Sequence, residues 1–337
     1  MSYLGIDLHS NSLTVCYRTQ QGTEGIKTFA LRDLDAFCKT LRKRDRVAVE
    51  ATGNTRWFVK QISKRVKEVI VVDPNKFEVI TKSVNKTDKH DARTLAYFLS
   101  KDMLPKARQK DEQTAQLHSL AETRDKLVKQ RTALVNKIHN VLNSHGLKWK
   151  KETLTSEKGL KSITAMEWEP IVRVELEVLA DQIRSLNKNI KTLDQQMIDR
   201  GRKLKGHKNL ASIKGIGEKS ATVLLSVIGN VKDFESEHKL AAYFGIVPRV
   251  SNSNETVHHG RITKRGSKLG RTTLVQCTLI AKRYSPYLRR FYERLKLRRG
   301  SGKAIIATAR KFLVIIYQTL VNDWIFEDFP NFVIAES

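Results

Sequence analysis

The chain has 337 residues, enough for two or three domains with cores of their own, and its 40% hydrophobic and 29% charged content reads as folded. A net charge of +27 sets it apart from ordinary metabolic enzymes and calls for a polyanionic partner, with nucleic acid the commonest and an anionic membrane surface the competitor. No apolar run approaches the roughly 20 residues that span a bilayer, no signal-peptide pattern opens the chain, and Cys16, Cys38 and Cys277 never fall in C-x-x-C spacing, which argues against structural zinc and for a reducing compartment.

The first strand, Tyr3–His9, carries a single carboxylate, Asp7, where a buried strand normally holds Ile or Val. An ionised Asp there is costly unless it is paired or holds a metal. Ser12–Arg18 and Ile26–Leu31 are β-rich and follow closely enough to form hairpins. Leu34–Arg44 and Thr55–Arg65 read as helices. Between them Val47–Glu50 is a short buried strand that ends on a second carboxylate. Val69–Pro74 is another buried strand, stopped by its proline, and a helix is expected to begin near Pro74. Asp88-Lys89-His90-Asp91 precedes the periodic run Leu95, Phe98, Leu99, so Asp88 and Asp91 fall on the first turn of a helix, on one face. Asp7, Glu50, Asp88 and Asp91 together make a hard-cation site; Mg²⁺ suits it, because Mg²⁺ takes oxygen ligands and supports in-line phosphoryl chemistry. The element order fits a mixed α/β sheet of the ribonuclease-H type with Asp7 central and Glu50 on a neighbouring strand. His90 either tunes this site or faces solvent.

From about residue 111 to 200 the pattern becomes helical. Leu117, Leu120, Leu127, Leu134, Ile138 and Val141 follow 3/4 spacing, with Arg124 and Arg131 in the two skipped positions. Val172, Leu176, Leu179, Ile183, Leu186, Ile190, Leu193 and Met197 then form an unbroken a/d seam. These long helices pair with each other or with a second copy, and the stretch between them, about 146–170, is expected to be loop-rich.

Near Leu204 a third region begins. Ile213-Lys214-Gly215-Ile216-Gly217 leads into the apolar helix Val223–Ile228, as in a helix-hairpin-helix, whose Gly-x-Gly turn presents backbone N–H groups to a phosphate; an ordinary helix corner is the alternative. Residues 261–311 then hold sixteen Lys or Arg and a single acid, Glu293, while helical apolar spacing persists, so this is a folded basic face. Gly215, Gly217, Lys219, Arg249, Arg261, Lys264, Arg265, Lys268 and Arg271 are its candidate nucleic-acid contacts, positioning phosphate without reading sequence. His258-His259 are loop or phosphate contacts, or metal ligands. Phe312–Ile325 reads as an apolar helix that docks on the basic domain.

The motifs G-I-D-L-H, V-E-A-T-G and D-K-H-D-A, then F-G-I-V-P-R, a serine-bearing loop and G-R-I-T-K-R-G, follow one another along nearly the whole chain. In this order the chain resembles the DEDD-type transposases of insertion sequences, relatives of the Piv-type DNA invertases. The resemblance implies a RuvC-like catalytic domain over 1–108, a coiled-coil, dimerising region over 109–203 and a C-terminal transposase domain over 204–337. It also implies a serine nucleophile, Mg²⁺ on the four carboxylates, and a bridge RNA that pairs with target and donor DNA. Register from Pro248 to Gly260 places Ser253 on the nucleophile position, with Ser251 the runner-up and Asn254 where the family has Gly. The implied protein is a homo-oligomer, dimer or tetramer, acting on DNA in a prokaryotic cytoplasm, with an active site completed between protomers. Two rivals stand beside this reading: a metal-dependent junction-resolving nuclease that uses water, and a non-catalytic nucleic-acid scaffold.

Overall fold

In the computed structural model residues 1–74, 76–77, 87–253 and 256–327 are described, with the backbone path alone for 250–253 and 256–259. The helix expected to begin near Pro74 falls largely on 75 and 78–86, and Asn254 is likewise outside the described residues. The chain divides into two compact units, Met1–Gln109 and Lys110–Ser337.

The first unit is a mixed α/β layer structure. Strands β1 (Ser2–Leu8), β2 (Ser12–Thr19), β3 (Glu24–Ala30), β4 (Arg46–Glu50) and β5 (Glu68–Val72) form one sheet in the order β3-β2-β1-β4-β5. The first three are antiparallel neighbours joined by short turns; β4 and β5 run parallel to β1, as crossover connections require. Leu4, Ile6, Leu13, Val15, Val47 and Val49 are fully buried on one face of the sheet, and Ala48 and Ile70 are buried on the other, so both faces are covered. One cover consists of α1 (Leu34–Cys38) and α2 (Thr55–Ile62), whose Phe37, Phe58 and Ile62 complete a core cluster with those strands. Helix α1 is shorter than the expected Leu34–Arg44. The Thr40 hydroxyl donates to the Phe37 carbonyl and the Arg42 N–H donates to Asp45, so the chain bends into β4 instead of continuing as helix. Helix α2 also stops early, at Ile62, and ends in a 3₁₀ turn over Ser63–Arg65.

The other face is covered by α3 (Asp88–Ser100), which lies on the backbone of β1 with no side chain between them. A Cβ on Gly5 would sit 2.1 Å from the Ala92 carbonyl oxygen and 2.3 Å from the Ala96 nitrogen. Gly5, with Ala92 and Ala96 one turn apart on the helix, therefore permits a close approach that a larger residue would block.

In the second unit α4 (Glu112–Ser144) and α6 (Pro170–Gly201) form an antiparallel helical hairpin. Leu176, Ile183, Ile190 and Met197 are buried along its seam, Leu176 and Ile183 in one cluster with Val135 and Ile138 of α4 and Met197 in another with Ala121. The two arginines that interrupt the apolar pattern reach polar partners across the pair: Arg124 Nε lies 2.7 Å from Asp194 Oδ1, and Arg131 donates to Asn187 Oδ1 at 2.8 Å. The stretch between these helices is more ordered than expected. A 3₁₀ turn, Thr153–Thr155, and helix α5 (Glu157–Thr164) close the hairpin end with Leu154, Leu160 and Ile163 fully buried.

The rest of this unit is a helical core. Helices α7 (His207–Ser212), α8 (Glu218–Ile228), α9 (Glu237–Phe244), α10 (Lys268–Tyr284) and α11 (Pro286–Val321) bury Leu210, Leu224, Phe244, Leu274, Phe312 and Ile316 in one cluster. Helix α11 kinks at Gly300, whose φ is +77°. It is the one helix among the described residues long and apolar enough to cross a membrane, and its apolar half is packed into this core. Asp194 joins the arm to the core, for the Lys219 ammonium of α8 lies 3.1 Å from its Oδ2, which Arg124 also reaches. Partial burial disfavours that carboxylate, but the hydrogen bonds from Arg124 and Lys219 outweigh it and hold its pKa below the usual range.

Two outcomes are expected. Gly5→Ala will force α3 off β1 and destabilise the first unit by about 1–3 kcal/mol, read as a fall in its thermal midpoint, whereas Gly217→Ala, with open space at its Cα, leaves the midpoint nearly unchanged. Asp194→Asn will cost about 1–2 kcal/mol near neutral pH. Because the folded-state pKa is depressed, the wild type holds this advantage above the unfolded carboxylate pKa and loses it as pH falls through the folded value. Unfolding curves of the two proteins should therefore converge on acidification.

Candidate active site

Asp7, Asp88 and Asp91 come near one another at the C-terminal end of β1. Asp7 occupies the next-to-last position of that strand, and its side chain is only 16% exposed. Helix α3 starts beside it, with the Thr87 side chain accepting from the His90 N–H as N-cap. Asp88 and Asp91 thus stand in the first turn, where the helix dipole favours negative charge. Asp88 is exposed and Asp91 is buried. Burial raises the Asp7 pKa; the nearby charges of Asp88 and Asp91 raise it further, while His9 acts the other way.

Glu50 closes the parallel neighbour β4, at the position that follows the Ile6–Val49 pair and so lies beside Asp7 in register. Its carbonyl accepts from the Thr55 hydroxyl at 2.7 Å, and Asn54 donates from the same loop to the His9 carbonyl at 2.9 Å, so the two strand ends are tied together. Among the described residues, the ligand atoms that converge within 4.8 Å of one another belong to Asp7, Asp88 and His9. The structure therefore brings Asp7 and Asp88 together, sets Asp91 one turn along the same helix, and leaves the Glu50 carboxylate outside that tight group.

Sequence reasoning missed His9. It stands two residues after Asp7, so strand periodicity puts both side chains on one face. Its Nε2 lies 3.1 Å from Asp7 Oδ2 and 3.4 Å from Asp88 Oδ1. Partial desolvation works against its charge, but the two carboxylates prevail and raise its pKa. His90, considered for this place, is exposed on α3. Closely set carboxylates that raise one another's proton affinity are relieved by a cation, and oxygen donors with one imidazole suit a divalent metal.

In the second unit Ser251 and Ser253 lie in a β-hairpin and not in the expected loop: β6 (Pro248–Ser253) pairs with β7 (Thr256–Ile262), Ser253 opposite Thr256 and Ser251 opposite His258. The base of this hairpin is a backbone-on-backbone junction. A Cβ on Gly245 would lie 2.2 Å from the Arg265 carbonyl oxygen, and one on Gly266 would lie 2.0 Å from that of Tyr243. Arg271, expected at phosphate, also staples this junction, its guanidinium donating to the Phe244 and Gly266 carbonyls at 3.2 and 3.0 Å. Lys219, also expected at phosphate, is held by Asp194. Gly215 has φ +109° and lies so near α10 that a Cβ would meet the Ala281 nitrogen at 2.7 Å; its glycine is required by packing. Gly217 stays open at the N-cap of α8, and Arg249, Arg261, Lys264, Arg265 and Lys268 are exposed around the hairpin and the start of α10.

Comparison with known proteins agrees with both units. A transposase model of the DEDD type of IS110 matches residues 4–146, and the model described as the transposase IS116/IS110/IS902 family matches residues 207–293. The transposase for insertion sequence element IS1111A of Coxiella burnetii is 27% identical over 288 residues, 82% of this chain and 78% of that protein. A probable family 20 transposase of Pseudomonas aeruginosa is 25% identical over 82% of this chain and 84% of its own length. The pilin gene-inverting protein of Moraxella lacunata is 28% identical over 95% of both chains. With carboxylate motifs and basic region matched in the same order, the chain belongs to the DEDD-type transposases of IS110-like insertion sequences and is an enzyme of DNA transposition.

Proposed function

We propose that this transposase cuts and rejoins DNA strands through a covalent phosphoserine formed by Ser253, with Mg²⁺ held by Asp7, Glu50, Asp88 and Asp91 and with a bridge RNA pairing to target and donor DNA. The observation that carries this reading is the convergence of Asp7 and Asp88 at one strand–helix junction in a chain whose relatives include both transposases and a DNA-inverting protein. The strand order β3-β2-β1-β4-β5, with β4 and β5 parallel to β1, supports a RuvC-like assignment for the first unit.

The carboxylates would hold the cation, which when bound neutralises charge on the scissile phosphate. The chain's own residues supply the rest. Ser253 forms the new O–P bond as a DNA hydroxyl leaves, and a hydroxyl from the partner strand then attacks the phosphoserine and restores the serine. The bond energy stays in the phosphodiester linkage, so rejoining needs no nucleotide cofactor. Arg249, Arg261, Lys264, Arg265 and Lys268 hold phosphate near the hairpin, as does the open Gly217 turn, in a helix-hairpin-helix role. If RNA pairing reads sequence, these contacts need carry none of it. The exposed stripe Ile171, Val174 and Val178 on α6 (83%, 59% and 55% exposed) supports pairing of two copies along the arm.

The test is cleavage of end-labelled element-junction DNA with Mg²⁺ and RNA transcribed from the flanks of the gene, run on denaturing gels before and after protease. A protease-sensitive adduct is expected in the wild type, reduced on the order of 10³-fold or more in Ser253→Ala and in Asp7→Asn. Cutting that continues in Ser253→Ala with no adduct in any protein would establish the water-using nuclease instead.

A further inference from the structure

The imidazole of His9 is placed as closely on Asp7 and Asp88 as two ligands of one ion are placed on each other. In an octahedral shell with bonds of ~2.1 Å, adjacent donor atoms lie about 3.0 Å apart. His9 Nε2 is 3.1 Å from Asp7 Oδ2 and 3.4 Å from Asp88 Oδ1, and all three ligand atoms fall within 4.8 Å. The backbone at His9 is fixed from both sides. Its N–H donates to the Ser12 carbonyl at 2.9 Å, closing the β1–β2 turn, and its carbonyl accepts from Asn54 at 2.9 Å. The ring thus leaves a pinned strand end on the same face as Asp7, pointing its nitrogen between the carboxylates.

We infer that His9 is a nitrogen ligand of the divalent cation, in the same coordination shell as Asp7 and Asp88. This rests on the metal reading above and goes beyond the four carboxylates. Its consequence is a mixed nitrogen–oxygen site. Imidazole is a poor ligand for Mg²⁺ and a better one for first-row transition ions, so the site should accept Mn²⁺ more tightly than an all-oxygen site of the same charge would. The competing account is a His–carboxylate ion pair that a metal displaces, with His9 swinging into solvent when the ion arrives.

The two accounts differ in a spectroscopic signature. Mn²⁺ is titrated into the full chain, free ion is counted by room-temperature electron paramagnetic resonance, and frozen samples are examined for electron spin-echo modulation from ¹⁴N. The wild type should bind Mn²⁺ and show imidazole ¹⁴N modulation. His9→Ala should lose the modulation and bind Mn²⁺ at least about tenfold more weakly, while His90→Ala keeps both. His9→Asp, which restores an oxygen donor, should recover binding without the modulation, separating ligation from a folding defect. Mn²⁺ bound to the wild type without ¹⁴N modulation, or modulation that survives in His9→Ala, overturns the inference and leaves the carboxylate site standing. Mn²⁺ binding unaltered by Asp7→Asn overturns the metal reading itself, and the inference with it.

Discussion

The catalytic end of the first unit depends on one contact made without side chains. Helix α3 lies on β1 at Gly5 so closely that Ala92 and Ala96 meet strand backbone. Asp88 and Asp91 sit four residues and one residue before Ala92, and Asp7 sits two residues after Gly5. The distance between the helix carboxylates and the strand carboxylate is therefore set by the thinnest packing two elements can achieve. Such contacts resist adjustment, because close-packed interiors do not deform continuously. A helix raised by a side chain would carry Asp88 away from Asp7 and His9, and the charges would no longer share a counter-ion.

The second unit uses a different device to hold positive charge in order. Lysines of this unit lie over aromatic rings: Lys282 is 3.7 Å from the Tyr292 centroid, Lys311 is 5.2 Å from that of Phe291, and Lys214, in the turn before α8, is 5.8 Å from that of Tyr284. Each ring attracts the cation and limits its excursions. With few acids between residues 261 and 311, these rings replace the salt bridges that order most charged surfaces. The positive surface stays available to a polyanion, since a ring neutralises no charge.

Much of this was legible in the sequence, and the failures have physical causes. The strands around Asp7 and Glu50 were readable because burial on both faces leaves apolar runs, against which a carboxylate stands out. The seam of α6 was readable because its spacing never breaks. His9 escaped because a lone histidine at a strand end usually means nothing; the approach of α3, some eighty residues later, adds Asp88 to the Asp7 contact that its own strand supplies. The hairpin carrying Ser251 and Ser253 escaped because Ser and Asn have little β-propensity, and the pairing is imposed by the junction at its base. Lys219 and Arg271 were expected at phosphate as long cations in a basic region, and their contacts within the chain could not be read from spacing. Asp194 claims the first and the carbonyls of Phe244 and Gly266 the second.

The Asp194 node also fixes a lever. About 24 residues of α6 separate it from Pro170, roughly 36 Å at ~1.5 Å of rise per residue. A tilt of about one degree at the node would move the far end of the hairpin by roughly 0.6 Å over that length. The arm is closed at that far end by its own small core and fastened at the near end by Ala121 and Met197 packed with Val223, by Gly201 against Thr222, and by the carboxylate shared between Arg124 and Lys219. Aim at the tip is thus governed by the packing at the root, and an error of a few tenths of an ångström there is magnified along the whole helix.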